Sequence, residues 1–356
     1  MQAEILAKAL DHHRAGRLVA AEALYREILA TAPRYADSLH LLGMIEHQRG
    51  RHQIAVSRSS AAIAINPEVA AFHSNLGTVF QAQGDLNEAA ACFERALALD
   101  PDWAEVHSNL GNVLQSQGKI EEAVAIQERA LSIKPDFAEA WSNLGNLRYA
   151  QGKLAEAVAC YERALSLKPD YVDAHNNLGT ALVAQDRIDD AVAHYERALA
   201  LNPEHAAAHN NLGNALMAQD RIDDARVHYE HAVALKPDYA NPHSNLGNVF
   251  KELGEFEDAM AHYGRAISIK PDYAEAHLNR AELKCFEHGD AELAALEKLA
   301  ARDDLPADKA LFVHFALAKA LDDVGDYERA FEHLVQGNAL KRCQIDYRER
   351  SRSQTG

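Results

Sequence analysis

The sequence has few aromatic residues, few cysteines and no long apolar stretch. Aromatic residues make up 7% of its 356 residues, so its core must rest largely on small and aliphatic side chains. The four cysteines are spread along the chain without a CxxC pair, which argues against a disulfide framework and fits a reducing compartment. No segment approaches the roughly 18 apolar residues of a membrane-spanning helix. We therefore expect a cytoplasmic protein without membrane insertion.

Basic charge is also scarce. The chain carries 36 Lys and Arg residues against 53 Asp and Glu residues, which gives a net charge of −17. Nucleic acids and anionic membrane surfaces both require a basic face, so the charge argues against either as a partner. An acidic chain stays soluble and favours basic partners.

Motifs for catalysis and for phosphate binding are missing. The sequence contains no G-x-x-x-x-G-K-[ST], no G-x-G-x-x-G, no H-E-x-x-H and no G-x-S-x-G. Acidic pairs such as Glu121 and Glu122 stand where a helix is predicted to start, and there they suit the helix dipole. We predict that the chain is not an enzyme and has no catalytic residue, cofactor or metal site.

The sequence does have a strict 34-residue period. Eight prolines follow it, and ten residues after each of the first seven comes a glycine. The prolines are Pro33, Pro67, Pro101, Pro135, Pro169, Pro203, Pro237 and Pro271. The glycines are Gly43, Gly77, Gly111, Gly145, Gly179, Gly213 and Gly247. A fixed period of this length indicates one supersecondary unit copied in tandem.

The unit 138–171 shows the pattern, with Ala138 counted as position 1. Apolar residues recur at helical spacing on both sides of Gly152, which predicts two helices joined by a tight turn at a left-handed cap. Position 8 is glycine (Gly145), although glycine inside a helix costs about 1 kcal/mol relative to alanine. We expect close contact between the helices to offset this cost, with the aromatic residue at position 24 (Tyr161) filling the adjacent space. At position 15, Asp186 and Asp220 replace glycine, and aspartate tolerates a left-handed backbone.

This period, with W-x-x-L-G followed by alanine, an aromatic residue, alanine and proline, resembles the tetratricopeptide repeat (TPR). The resemblance implies an all-α, right-handed solenoid of antiparallel helix pairs with a concave groove, in about ten units. We expect eight regular units over residues 2–273 and a degenerate ninth unit with an insertion over 274–310. A tenth TPR-like unit follows over 311–344, and then a polar tail over 345–356.

Asparagine forms a second ladder, at positions 6 and 9 of the first helix, on the face opposite the apolar residues. An amide both donates and accepts hydrogen bonds, as a peptide group does, so the ladder is suited to the backbone of an extended peptide. It also resembles the asparagine ladder in the repeat region of O-GlcNAc transferase. The predicted peptide-binding residues are Asn75, Asn109, Asn143, Asn177, Asn211, Asn245 and Asn279 at position 6, with Asn112, Asn146, Asn214 and Asn248 at position 9.

Two plainer interpretations of the asparagines stay open. Recent duplication would have copied them without a role, or their amides would bond to neighbouring helices and stiffen the array. Acids at position 2 (Glu105, Glu139, Asp173 and Glu275) would favour a basic peptide. Histidine recurs at position 4, where one repeat of separation is too far for a shared metal ion, so packing in place of an aromatic residue is the favoured role.

We therefore predict a scaffold that binds an extended peptide or protein segment in its groove. The alternative is the substrate-recognition region of a glycosyltransferase or sulfotransferase whose catalytic domain is absent from this chain. The sulfotransferase alternative comes from residues 311–347, which resemble the last repeat of bacterial TPR-sulfotransferases. A third hypothesis is self-association through the ends of the solenoid.

Overall fold

The protein is built of helices alone within the residues that its computed structural model describes, which are 2–354 for the backbone and 2–343 for the side chains. This confirms the all-α repeat array of helix pairs. The twenty helices are α1 (Gln2–Arg14), α2 (Leu18–Thr31), α3 (Ala36–Gln48), α4 (His52–Ile65), α5 (Ala70–Gln83), α6 (Leu86–Leu99), α7 (Ala104–Ser116), α8 (Ile120–Ile133), α9 (Ala138–Ala150), α10 (Leu154–Leu167), α11 (Val172–Ala184), α12 (Ile188–Leu201), α13 (Ala206–Ala218), α14 (Ile222–Leu235), α15 (Ala240–Glu252), α16 (Phe256–Ile269), α17 (Ala274–Leu283), α18 (Ala291–Ala300), α19 (Ala307–Asp323) and α20 (Tyr327–Gln354).

The turn inside each unit depends on one residue with a left-handed backbone. Gly152, between α9 and α10, has φ of 73°, and its amide bonds to the carbonyl of Tyr149. Asp220 takes the same place between α13 and α14 with φ of 60°. The prediction that aspartate preserves this turn is therefore confirmed.

In four units the glycine at position 8 lies directly under the aromatic ring at position 24, as Gly77, Gly145, Gly213 and Gly247 do. A Cβ atom built on Gly145 would lie 2.6 Å from Cε1 of Tyr161, and one on Gly247 would lie 2.5 Å from Cε1 of Tyr263. Carbon atoms do not approach this closely, so only glycine fits beneath the ring. The close contact predicted for position 8 is confirmed, and it is a contact between helix backbone and ring.

The core of each unit continues into the next unit through small side chains. Ala89 and Ala96 on α6 are fully buried beside Phe93, and the cluster extends to Val106 and Val113 on α7. Alanine lets the helices approach, and the ring fills the space that remains. The first helices of successive units also touch, as α3 does with α5 and α7 with α9. Residues on neighbouring first helices can therefore act together.

The chain forms two compact units, Met1–Gln185 and Asp186–Gly356. The second one contains the irregular stretch, in which α17 and α18 have 10 residues each and both pack against α19. Phe286 is buried there, and Lys284 forms ion pairs with Asp290 (2.7 Å) and Glu292 (2.9 Å). The predicted boundaries at 274, 311 and 345 stay predictions. The backbone of α20 runs on to Gln354, while the side chains of the expected polar tail lie outside the described residues.

Candidate functional site

The predicted asparagines lie on the first helices of their units. Asn214 is exposed, and the other predicted asparagines are half-buried. Half-buried polar side chains in this position both contact the protein and reach its surface. Their hydrogen bonds divide the ladder into two classes by position.

At position 9, three amide oxygens, those of Asn146, Asn214 and Asn248, each accept two hydrogen bonds from neighbours. The hydroxyl of Tyr161 donates to Asn146 Oδ1 at 2.8 Å, and Asn177 Nδ2, at position 6 of the next unit, donates to the same oxygen at 3.0 Å. The arrangement recurs twice in the second compact unit. Asn214 Oδ1 accepts from Tyr229 (2.8 Å) and Asn245 (2.9 Å), and Asn248 Oδ1 accepts from Tyr263 (2.7 Å) and Asn279 (3.0 Å).

These bonds fix the direction of the position-9 amide. Burial raises the pKa of Tyr161, Tyr229 and Tyr263, which keeps their hydroxyls protonated as donors. With both lone pairs of its oxygen in use, each asparagine has only its NH₂ group left for a ligand. Among the described residues, no protein group accepts a hydrogen bond from Nδ2 of Asn146 or Asn214.

The outward amides line two cavities. One, of about 510 Å³, is lined by Asn214, Met217, Tyr229, Asn245, Asn248, Lys251 and Glu252. The other, of about 170 Å³, is lined by Asn146, Tyr149, Tyr161, Asn177 and Thr180. The two cavities share repeat positions 9, 12 and 24 of one unit and 6 and 9 of the next, and Lys251 and Glu252 extend the larger one. The structure therefore brings the predicted residues together in pairs across adjacent units.

At position 6, the amide mostly bonds to the preceding unit. Asn75 Nδ2 lies 2.8 Å from His40 Nε2, and Asn143 Nδ2 donates to Ser108 Oγ at 3.2 Å. Asn245 Nδ2 donates to Asn210 Oδ1 as well as to Asn214. These contacts match the alternative in which amides bridge neighbouring helices. The role of the position-6 asparagines in binding stays a prediction.

Three family models match the sequence, and together their segments cover more than half of the chain. One, described as TPR repeat, matches residues 145–186 and 247–284. Two, described as tetratricopeptide repeat, match residues 68–136 and 176–240. The chain belongs to the tetratricopeptide repeat family. No catalytic domain is evident among the described residues of this TPR protein.

Solved structures share the TPR fold. The APC/C hetero-tetramer Cut9-Hcn1 is 20% identical with a TM-score of 0.62, covering 78% of this chain and 55% of that one. PilF of Pseudomonas aeruginosa is 23% identical with a TM-score of 0.52, covering 58% of this chain and 94% of that one. YrrB, described as a TPR protein with an unusual peptide-binding site, is 27% identical with a TM-score of 0.43, covering 52% and 96%.

These similarities establish the fold and leave the partner open. The TPR chain spans 55% of the length of the chain from the Cut9-Hcn1 structure. No curated protein matches the sequence. Within the described residues, none of the helices combines the length and the apolar character that crossing a lipid bilayer requires.

The acids at position 2 are in part already paired. Glu105 forms an ion pair with Lys134 (2.8 Å), and Glu139 forms one with Lys168 (3.1 Å). The lysine hydrogen bond lowers the pKa of Glu105 and contributes to the lowered pKa of Glu139, so both carboxylates are held ionised. Each lysine ends the second helix of the same repeat and ties it back to the first helix. These two acids serve the repeat itself and offer little uncompensated charge to a partner.

The histidines at position 4 secure the loop before their helix. His73 Nε2 lies 2.8 Å from the carbonyl oxygen of Pro67, and His107 Nε2 lies 2.9 Å from that of Pro101. Trp141 makes the equivalent bond to Pro135 at 3.0 Å. This is a packing and hydrogen-bonding role, and no group of three potential metal ligands occurs among the described residues.

Sequence reasoning missed the bond between positions 24 and 9, which the repeats signal only in part. At three tyrosines of position 24, Tyr161, Tyr229 and Tyr263, position 9 of the same unit is asparagine, whereas Tyr195 has Thr180 there. Where position 24 is Phe93, which has no donor, position 9 is Thr78, and that hydroxyl bonds to its own helix at Ser74.

Proposed function

We propose that this TPR protein is a scaffold that binds extended peptide segments through its position-9 asparagines. The observation that carries the proposal is the pair of bonds accepted by each oxygen of Asn146, Asn214 and Asn248. These bonds leave three amide NH₂ groups, each positioned by a tyrosine. An array that holds donors in fixed directions costs a ligand little ordering of the protein.

The chemistry of these donors suits a peptide backbone. An extended segment leaves its carbonyl groups unpaired, and each is an acceptor that an outward amide NH₂ group can satisfy. The cavities beside Asn146 and Asn214 provide space for side chains of the peptide. Recognition of this kind involves no bond-making step, in keeping with a scaffold that is not an enzyme.

The proposal includes a preference for a basic peptide. It rests on the net charge of −17 and on Glu275 at position 2, which is exposed. A cytoplasmic location and the absent catalytic domain of a transferase remain sequence-based predictions.

A triple variant, Asn146→Asp, Asn214→Asp and Asn248→Asp, tests the proposal. Aspartate keeps an oxygen for the tyrosine and for the position-6 amide, but replaces the outward donor by an acceptor. Peptides selected from a random library against the unmodified protein serve as probes, and fluorescence anisotropy gives their dissociation constants. Losing three hydrogen bonds of about 1 kcal/mol each should weaken binding by roughly a hundredfold.

The matched control makes three asparagine-to-aspartate substitutions at positions outside the first helices. The control carries Asn66→Asp, Asn87→Asp and Asn202→Asp. Asn66 and Asn202 are the C-cap residues of α4 and α12, and Asn87 lies on the second helix α6. This control equals the test variant in charge and should bind as the unmodified protein does. Equal binding by the two triple variants, both folded by circular dichroism, would exclude the position-9 amides as the binding groups.

A further inference from the structure

Helix α20 carries an exposed apolar stripe. Tyr327, Phe331 and Val335 are 68%, 67% and 49% exposed, and Ala339 and Cys343 continue the stripe as exposed residues. They recur every fourth residue, which forms a ridge of the kind that packs into the groove of another helix. With 28 residues, α20 is also twice as long as α10, which has 14. Among the described elements, α20 packs chiefly against α19.

The same repeat positions are different in the preceding units. Val158 on α10 occupies the place of Phe331 and is 7% exposed. At the place of Val335, five earlier units carry an exposed glutamate, as at Glu162. The stripe on α20 therefore includes an apolar residue where the repeat ordinarily presents a charge to water. An apolar ridge of this size marks an interaction surface.

The stripe is complementary to itself in an antiparallel arrangement. Its large residues, Tyr327 and Phe331, stand at one end and its small residues, Cys343 and Ala339, at the other. A two-fold axis at Val335 sets each large residue opposite a small one, so two ridges fit together.

The charges along α20 fit the same register. The axis at Val335 places Glu328 of one copy opposite Arg342 of the other, which gives two equivalent ion pairs. Arg329 already bonds to Glu297 at 2.5 Å in its own chain and does not compete for this contact. Shape and charge thus select one orientation of the two helices.

The opposite end of the array does not fit this stripe. Positions 3 and 10 of a first helix normally face the preceding unit, and at α7 they are the buried Val106 and Val113. At α1 the same positions are the exposed charges Glu4 and Asp11. Burying these carboxylates against Tyr327 and its neighbours is unfavourable, so head-to-tail stacking is disfavoured.

We propose that α20 is a dimerisation helix that pairs with α20 of a second copy of this chain. The two helices run antiparallel about an axis at Val335, and their apolar ridges interlock. The interface is isologous, so it closes at two copies and does not extend into a filament. No residue of α20 lines the cavities beside Asn146 and Asn214, and a dimer carries each of these cavities twice.

Light scattering coupled to size exclusion, over a wide range of protein concentration, tests the proposal. The unmodified chain should show twice the mass of 39.1 kDa. Val335→Asp buries two facing carboxylates at the axis and should raise the dimer dissociation constant by more than about a hundredfold. Val227→Asp changes an equally exposed valine on α14 and should leave the dimer intact.

A charge exchange tests the partner and the orientation without disturbing the fold. Glu328→Arg alone and Arg342→Glu alone should each weaken the dimer by about three- to tenfold, because each creates two like-charge contacts. The double variant should restore it, which only self-pairing in this register predicts. A monomer at every concentration, masses above the dimer, or no recovery in the double variant would overturn the proposal.

Discussion

At the scale of single residues, the repeat depends on glycine and tyrosine acting as a pair. Gly213 lacks the Cβ atom that would lie 2.5 Å from Cε1 of Tyr229, and that ring carries the hydroxyl that holds Asn214. Close packing and the direction of the candidate binding group therefore depend on the same two residues. A substitution at the glycine would move the ring and, with it, the asparagine on the binding face.

Gly145→Ala should destabilise the protein even though alanine favours a helix by about 1 kcal/mol. The added Cβ would lie 2.6 Å from Tyr161 Cε1, and forcing extra volume into a packed core costs about 1–3 kcal/mol. Gly264→Ala is the matched control, since its Cβ meets only the flexible end of Arg280, at 3.4 Å. Urea unfolding should show lower stability for the first variant and unchanged or higher stability for the second. Equal gains in both would contradict the account.

The sequence alone was sufficient to predict the features that depend on local spacing. The turn residues Gly152 and Asp220, and the purpose of glycine at position 8, all follow from the period and from backbone preference. The direction of the Asn146 amide did not follow, because it depends on Tyr161 and Asn177, which lie 15 and 31 residues away. The lysine partners of Glu105 and Glu139 were missed for the same reason, since they come from the end of the second helix.

At the scale of helix pairs, α7 and α8 lack the aromatic ring at position 24, as do α3 and α4, where Ser59 takes its place. Gln127 takes the place of the aromatic residue and is fully buried against Gly111. Its Nε2 donates to Asn112 Oδ1 at 3.2 Å and to the carbonyl of Ser108 at 3.1 Å. Its Oε1 has no hydrogen-bond partner among the described residues. The amide thus preserves the support of position 9 and leaves a buried oxygen unsatisfied.

Gln127→Tyr should stabilise the protein by about 1–3 kcal/mol, the usual penalty of an unsatisfied buried polar group. The ring would lie on Gly111 as Tyr161 lies on Gly145, and its hydroxyl would bond to Asn112. Gln127→Phe supplies the ring without the donor and should gain less. The midpoints of urea unfolding rank the three proteins, and a lower midpoint for the tyrosine variant than for the original would count against this prediction.

At the scale of the whole molecule, the two compact units differ in their buried histidines. Burial lowers the pKa of histidines in both units, and in the first it brings the pKa of His40 to about 4. Burial also lowers the pKa of His13 and His47 within Met1–Gln185. Within Asp186–Gly356 it lowers the pKa of His209, His228, His243, His262, His277, His314 and His333.

Acid should therefore weaken the second unit more than the first. A histidine with a lowered folded pKa contributes stability above its unfolded value of about 6.5, and this contribution is lost as the pH falls below that value. Hydrogen exchange, compared at about pH 7.5 and about pH 5.5 and corrected for intrinsic rates, should show the larger loss of protection in the second unit. His209→Gln should reduce that loss, and an equal loss in both units would contradict the prediction.

The side chain that replaces histidine in one repeat has a practical consequence. Trp141 bonds to Pro135 within the first compact unit, and Trp103, the other tryptophan of the chain, lies in that unit as well. Intrinsic tryptophan emission therefore reports on Met1–Gln185, whereas far-ultraviolet ellipticity sums the helices of both units. If the two signals change at different denaturant concentrations, the units unfold separately, and a single unfolding free energy does not describe the chain.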